Sequence, residues 1–142
     1  MEPKPLRILI VEDNPFDVLM AESILERLGL LCLFQHATRL DEGVKKAAAG
    51  ADLVLLDLHL PDAGLADSLA AIARFPTPVV VLTGDRSPAS AFRAGRAGAL
   101  ACLSKFSAHS QLLSTVLFAA GCCAARGLLD DHLVTQLQEL HS

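Results

Sequence analysis

Five short apolar runs alternate with segments of helical spacing, and this alternation limits what the 142-residue chain can become. The runs cover residues 6–11, 30–36, 52–60, 78–83 and 99–104 and are rich in Leu and Val. Runs this short and continuous read as strands buried on both faces. The intervening segments, 16–28, 40–49, 64–75, 88–97 and from 109 onward, carry apolar residues at helical intervals. In the first, Phe16, Leu19, Met20, Ile24, Leu25 and Leu28 repeat in this way. Asn14 is an N-cap with Pro15 at the first helical position, and Gly29 and Gly50 stand where helices should stop. Strand–helix alternation implies a parallel sheet with right-handed crossovers. The length suits one domain.

Hydrophobic residues make up 52% of the chain and charged residues 20%, which excludes intrinsic disorder. Aromatics are only 4%, with no Trp and no Tyr, so the core must be aliphatic. Stacking platforms for single-stranded nucleic acid are missing, and a net charge of −4 disfavours a phosphate-backbone binder. Nucleic acid is therefore not an expected partner. Cys32, Cys102, Cys122 and Cys123 form no C-x-x-C pair and suit neither zinc nor a disulfide framework. They are expected to be reduced and mostly buried. No leader peptide is recognisable and no apolar run approaches the ~20 residues of a membrane span. A cytoplasmic location without membrane contact is expected.

In an open parallel sheet, ligands sit beyond the carboxyl ends of the strands. The residues expected there are Glu12 and Asp13 after the first run, Asp57 near the end of the third, Thr83 at the end of the fourth, and Lys105 after the fifth. Clustered carboxylates repel one another and call for a cation among them. An all-oxygen donor set with room for water suits Mg²⁺, which shares its shell with phosphate. Lys105 is a compact donor to an anion, and Thr83 adds a hydroxyl. The set describes a site for Mg²⁺ and then a phosphoryl group, with a carboxylate available as nucleophile to form an aspartyl phosphate. No G-x-G-x-x-G or G-x-x-x-x-G-K loop is present, so nucleotide binding is not indicated. Singly, each residue has an ordinary reading as turn former, helix-dipole partner or solvated charge. Together and in order, they point to chemistry.

With Glu12-Asp13, Asp57 in LLDLHLP, Thr83 in VVVLTG and Lys105 in CLSKF, the chain resembles a receiver domain of the response regulators of bacterial two-component phosphorelay signalling, over about residues 6–123. The resemblance implies an α/β fold, a (βα)₅ flavodoxin-like three-layer sandwich with a central five-stranded parallel sheet and a short C-terminal helical extension. The receiver would span 1–126, with 127–142 a helical tail or the start of a linker. It implies a signalling phosphoprotein rather than an enzyme, promoting only its own phosphorylation and dephosphorylation. Asp57 resembles the phosphoacceptor, charged by a histidine kinase or phosphotransfer protein. Asp13, Asp57 and the backbone carbonyl of His59 resemble direct Mg²⁺ ligands, with Glu12 acting through a metal-bound water. Thr83 resembles the switch hydroxyl. Lys105 resembles the ammonium that pairs with Asp57 and then with the phosphoryl group.

Three positions depart from the family pattern. Phe106 follows Lys105 where many receivers have a cis proline. A non-proline cis bond costs ~2.5–4 kcal/mol, so either a trans bond with a rearranged loop or a strained cis bond is expected. Cys102 occupies the place of the switch aromatic, and the segment 61–64 is one residue shorter than usual. These departures motivate an alternative, a degenerate receiver acting as a phosphorylation-independent interaction module. A hydrolase built on Asp57 is disfavoured, because Leu58-His59-Leu60 supplies no second carboxylate. Arg86, Arg93 and Arg96 lie on or near the fourth helix, as a solvated face or as part of a partner surface formed with the fifth strand and fifth helix. In the tail, Leu129, Leu133, Gln136 and Leu140 share one face with Leu137 beside it. This face either folds back on the domain or forms a dimer seam or linker. A downstream effector or fused output domain completes the expected partners, with a homodimer through the fourth-to-fifth-helix face or the tail.

Overall fold

The computed structural model describes residues 4–29, 31–85 and 87–140. Leu30, Arg86 and the side chain of Leu140, named above, lie outside what is described. Strands β1 (Leu6–Val11), β2 (Cys32–Ala37), β3 (Leu53–Leu56), β4 (Val79–Thr83) and β5 (Ala101–Ser104) form one parallel sheet in the order β2-β1-β3-β4-β5. Helices α1 (Pro15–Leu25), α2 (Leu40–Ala49), α3 (Leu65–Ile72), α4 (Pro88–Arg96) and α5 (His109–Ala125) connect the strands and cover the sheet, and α6 (Asp131–Leu140) follows. This is the (βα)₅ flavodoxin-like sandwich with a C-terminal helix.

The strand period of two divides the core. Leu6, Ile8, Ile10, Leu53 and Leu55 face the layer of α1 and α5. Leu9, Val11, Val54, Leu56 and Val81 face the layer of α2, α3 and α4. Because successive side chains alternate across the sheet, uninterrupted runs such as Leu53–Leu56 fill both layers at once. The helices present small residues inward, such as Ser90 and Ala94 in α4. An aliphatic, aromatic-poor core is thereby closed.

The third run is a shorter strand than the apolar pattern predicts. β3 ends at Leu56 rather than residue 60, although Leu58 and Leu60 are buried. The Asp57 N–H still donates to the Val11 carbonyl at 3.0 Å. The His59 N–H then donates to Asp57 Oδ1 at 3.2 Å, and a Leu60–Ala63 bridge turns the chain. Burial here marks an anchored loop. At the other end of the run, Asp52 lies before the strand and accepts the Arg7 N–H at 2.8 Å.

Helix α1 also differs from its spacing. It ends at Leu25 and passes through one 3₁₀ turn (Glu26–Leu28) to Gly29, whose φ of 73° closes it. Ala21, Ile24, Leu25 and Leu28 are buried, whereas Phe16, Leu19 and Met20 are exposed. At 100° per residue Phe16 and Leu19 lie well away from the buried group, with Met20 at its edge beside Ile24, so apolar spacing alone does not identify the inward stripe. Of the cysteines only Cys123 is buried; Cys32, Cys102 and Cys122 are half-buried, and all four are free thiols. Among the described residues there is no cis peptide bond, so Lys105–Phe106 is trans. No helix among them is long and apolar enough to cross a membrane.

The tail forms a separate helix. Gly127, at φ 69°, ends α5, and the Asp130 carboxylate caps α6 by accepting the His132 N–H at 2.9 Å. Leu129 and Leu133 are buried in the same core as α1 and α5. Leu133→Ala should therefore lower unfolding free energy by about 2–4 kcal/mol in urea titration, whereas an unchanged midpoint would show that α6 is not packed on the domain.

Candidate functional site

The register of the sheet brings the chemistry to one rim. Val11 pairs with Leu56 across β1 and β3, so Glu12 and Asp57 leave the sheet side by side. Thr83 pairs with Ser104 across β4 and β5, so Lys105 emerges just beyond Thr83. The Lys105 N–H donates to the Thr83 carbonyl at 2.9 Å and fixes that exit. Strand order reverses between β1 and β3, and this is where such sheets open a ligand crevice.

Carboxylate oxygens of Glu12, Asp13 and Asp57 lie within 4.8 Å of one another. Glu12 and Asp57 are buried, while Asp13 faces solvent. The Lys105 ammonium stands 2.7 Å from Glu12 Oε2, 3.2 Å from Asp57 Oδ2 and 2.7 Å from Asp17 Oδ2. Glu12 Oε1 accepts the Asn14 N–H at 2.9 Å, and Asn14 caps α1 as expected by accepting the Phe16 N–H. Beneath the ammonium, Met20, Ile24, Leu82, Leu103 and Leu112 line an apolar cleft between α1, α5 and the sheet. An apolar floor strengthens every charge–charge term above it.

Glu12, Asp13, Asp57 and Lys105 are thus brought together. Thr83 is fully buried at the strand end, but its hydroxyl accepts the Asp85 N–H at 3.2 Å and makes no hydrogen bond to Asp57. The His59 side chain points to Asp85, 3.6 Å from Oδ2, while its backbone N–H serves Asp57. Phe106 is exposed after a turn in which its N–H donates to Ser104 Oγ.

Sequence reasoning missed Asp17 and Asp85. Asp17 sits one turn into α1, and helical side chains tilt toward the N-terminus, which returns its carboxylate to the rim. The signal was present as a third acidic residue after Glu12-Asp13. Asp85 accepts from the Ser90 hydroxyl at 2.6 Å and the Ser87 N–H at 2.7 Å, organising the loop into α4. The Ser90 bond first, then that of Ser87, holds the Asp85 carboxyl below the usual range.

The charges are unevenly compensated. Burial pushes Glu12 up to about 7, against the lowering influence of Lys105 and the Asn14 amide. Burial also opposes the charge on Lys105, but its bonds to Asp17 and Glu12 and the charge of Asp57 raise its pKa overall. Folded Glu12 retains a proton that the unfolded chain loses near 4.5. Its stabilising contribution is fully present below 4.5 and is lost as pH rises through about 7. In metal-free buffer with chelator, unfolding free energy should fall across that window by on the order of 1–3 kcal/mol relative to Glu12→Gln. Parallel profiles for the two proteins would contradict this.

A model of the response regulator receiver domain matches residues 8–117. The chain is 36% identical over 115 residues to a protein-glutamate methylesterase/protein-glutamine glutaminase 2 of Anaeromyxobacter dehalogenans, covering 77% of this chain and 33% of that protein. It is 31% identical over 122 residues to the sensory/regulatory protein RpfC of Xanthomonas campestris pv. campestris, covering 80% of this chain and 16% of that protein. The chain therefore spans a third or less of these relatives' length. A CheY-like response regulator receiver domain protein of Methanospirillum hungatei superposes with a TM-score of 0.75 at 25% identity, over 87% of this chain and 99% of that one. With the family model covering most of its length, the chain belongs to the response regulator receiver domain family.

Proposed function

We propose that the chain accepts a phosphoryl group on Asp57 from a histidine kinase or phosphotransfer protein, in a Mg²⁺-dependent reaction, and that this switches a partner-docking surface. The observation that carries this reading is the Lys105 ammonium shared between Asp57 and Glu12 beside Asp13. The oxygen-only donor set fits Mg²⁺. Asp13, Asp57 and the backbone carbonyl of His59 would hold it directly, with Glu12 through water. Bound there, Mg²⁺ would neutralise charge on the carboxylates and the incoming phosphoryl oxygens.

The chain's own residues do the rest. An Asp57 carboxylate oxygen attacks phosphorus, the P–N bond of the phosphohistidine breaks, and its electron pair leaves on the imidazole. Lys105 moves from carboxylate to phosphoryl oxygen. Such catalysis is positioning and charge neutralisation. Thr83, whose hydroxyl now accepts from Asp85, turns to donate to the phosphoryl group and draws the loop before α4 with it. Phosphorylation thereby biases two pre-existing conformations. With Cys102 in place of an aromatic, this loop carries the change toward α4, where Arg93 and Arg96 are exposed.

The role is signalling rather than catalysis of an external reaction. Its output is a fused domain or separate effector, in the cytoplasm, without nucleic acid or membrane contact by this domain. A homodimer would use the α4–α5 face or the tail. The complete Glu12, Asp13, Asp57, Thr83 and Lys105 set speaks against a phosphorylation-independent module. Incubated with Mg²⁺ and acetyl phosphate, the protein should gain one acid-stable, base-labile phosphoryl group by intact mass. Asp57→Asn should gain none, and Thr83→Ala should still be labelled. No label on the parent chain, or label on Asp57→Asn, would contradict the proposal.

A further inference from the structure

The loop that follows Asp57 is tied to a helix it does not lead into. Helix α2 begins after Arg39, which has the extended backbone of an N-cap (φ −132°, ψ 151°) but makes no side-chain capping bond. The free amides at the start of a helix need acceptors. In α2 the Glu42 N–H is served locally by Asp41 Oδ1, but those of Leu40 and Asp41 are served by Asp62, 22 residues beyond Leu40 in the chain. The Leu40 N–H donates to Asp62 Oδ1 at 2.8 Å and Oδ2 at 3.0 Å, and the Asp41 N–H to Oδ2 at 3.4 Å. The Asp62 carboxylate belongs to the short loop in which Leu58 and Leu60 are buried and the Ala63 N–H returns to the Leu60 carbonyl at 3.3 Å.

The same helix rests on the end of β1. A Cβ on Gly43 would stand 2.8 Å from Val11 Cγ2, so the absence of a side chain lets α2 lie directly on the residue that precedes Glu12. One rigid element therefore touches both segments that supply the carboxylates, β1 through Gly43 and the Asp57 loop through Asp62. We propose that Asp62 is a positioning residue for the phosphoacceptor: by capping α2 from another loop, it holds the backbone after Asp57 in register with the end of β1. The His59 N–H, three residues before Asp62 in that loop, is bonded to Asp57 Oδ1. Its bond to Asp57 depends on where Asp62 holds the chain. The functional consequence rests on Asp57 as phosphoacceptor; the positioning itself does not.

Arg39→Ser separates capping from positioning, because a serine at the N-cap can accept the Asp41 or Glu42 N–H within its own helix. Asp62→Ala should lower Tm by roughly 3–6 °C, raise amide hydrogen exchange at His59 by about tenfold or more, and slow labelling by acetyl phosphate by about tenfold, since small misplacement is costly in such reactions. Asp62→Asn, which keeps an acceptor, should lie between it and the parent chain. The double variant Arg39→Ser/Asp62→Ala should regain part of the lost Tm but keep the fast exchange at His59 and the slow labelling. Full recovery of all three in the double variant, or parent-like exchange at His59 in Asp62→Ala, would reduce Asp62 to a helix cap and overturn the proposal. If the parent chain takes no phosphoryl group, the functional reading fails, while exchange at His59 still decides the role of Asp62.

Discussion

One ammonium stands among more negative charge than it can balance. Lys105 lies within salt-bridge distance of Glu12, Asp17 and Asp57, and Asp13 completes the cluster from the solvent side. Close pairing of this kind is favourable only when most of the charge finds a partner, because leaving a buried carboxylate uncompensated is expensive. Burial pushes Glu12 up to about 7, and the neighbouring Asp57 carboxylate adds to the rise, against the lowering contacts with Lys105 and the Asn14 amide. The site is therefore held in tension by the fold and is receptive to further positive charge.

That tension can be maintained because the groups are built on rigid elements. The parallel register sets Glu12 beside Asp57, and the Thr83–Ser104 pair sets where Lys105 leaves the sheet. Two aliphatic layers, one on each face of the sheet, bury the strands on both sides. In the loops, the Asp85 carboxylate gathers Ser87, Ser90 and His59 while its N–H donates to the Thr83 hydroxyl, and Asp62 fastens the other loop to α2.

Most of the architecture was legible because strand burial and helix punctuation are local signals. Residues 40–49 match α2, and the strand ends fall close to Val11, Thr83 and Ser104. The carboxylates and Lys105 were legible because strand ends in a parallel sheet converge whatever the details between them. What failed did so for physical reasons. The 52–60 run looked uniform because an anchored loop buries Leu58 and Leu60 as fully as a strand would. The apolar residues of α1 point two ways, and no periodicity within one helix tells which side meets the sheet. Asp17 and Asp62 act across 88 and 22 residues of sequence, distances at which spacing carries no information.

On the proposed function, a divalent cation supplies to the carboxylate cluster the positive charge that Lys105 alone cannot. Thermal unfolding of the parent chain and of Asp13→Asn, each titrated with Mg²⁺, tests it most directly. Without metal, Asp13→Asn should be the more stable of the two, because it relieves repulsion on an exposed carboxylate. With Mg²⁺ at ten times its dissociation constant, the parent chain should gain roughly 1.4 kcal/mol and the variant far less. A parent chain indifferent to Mg²⁺, or an Asp13→Asn variant that is less stable without metal, would contradict the account.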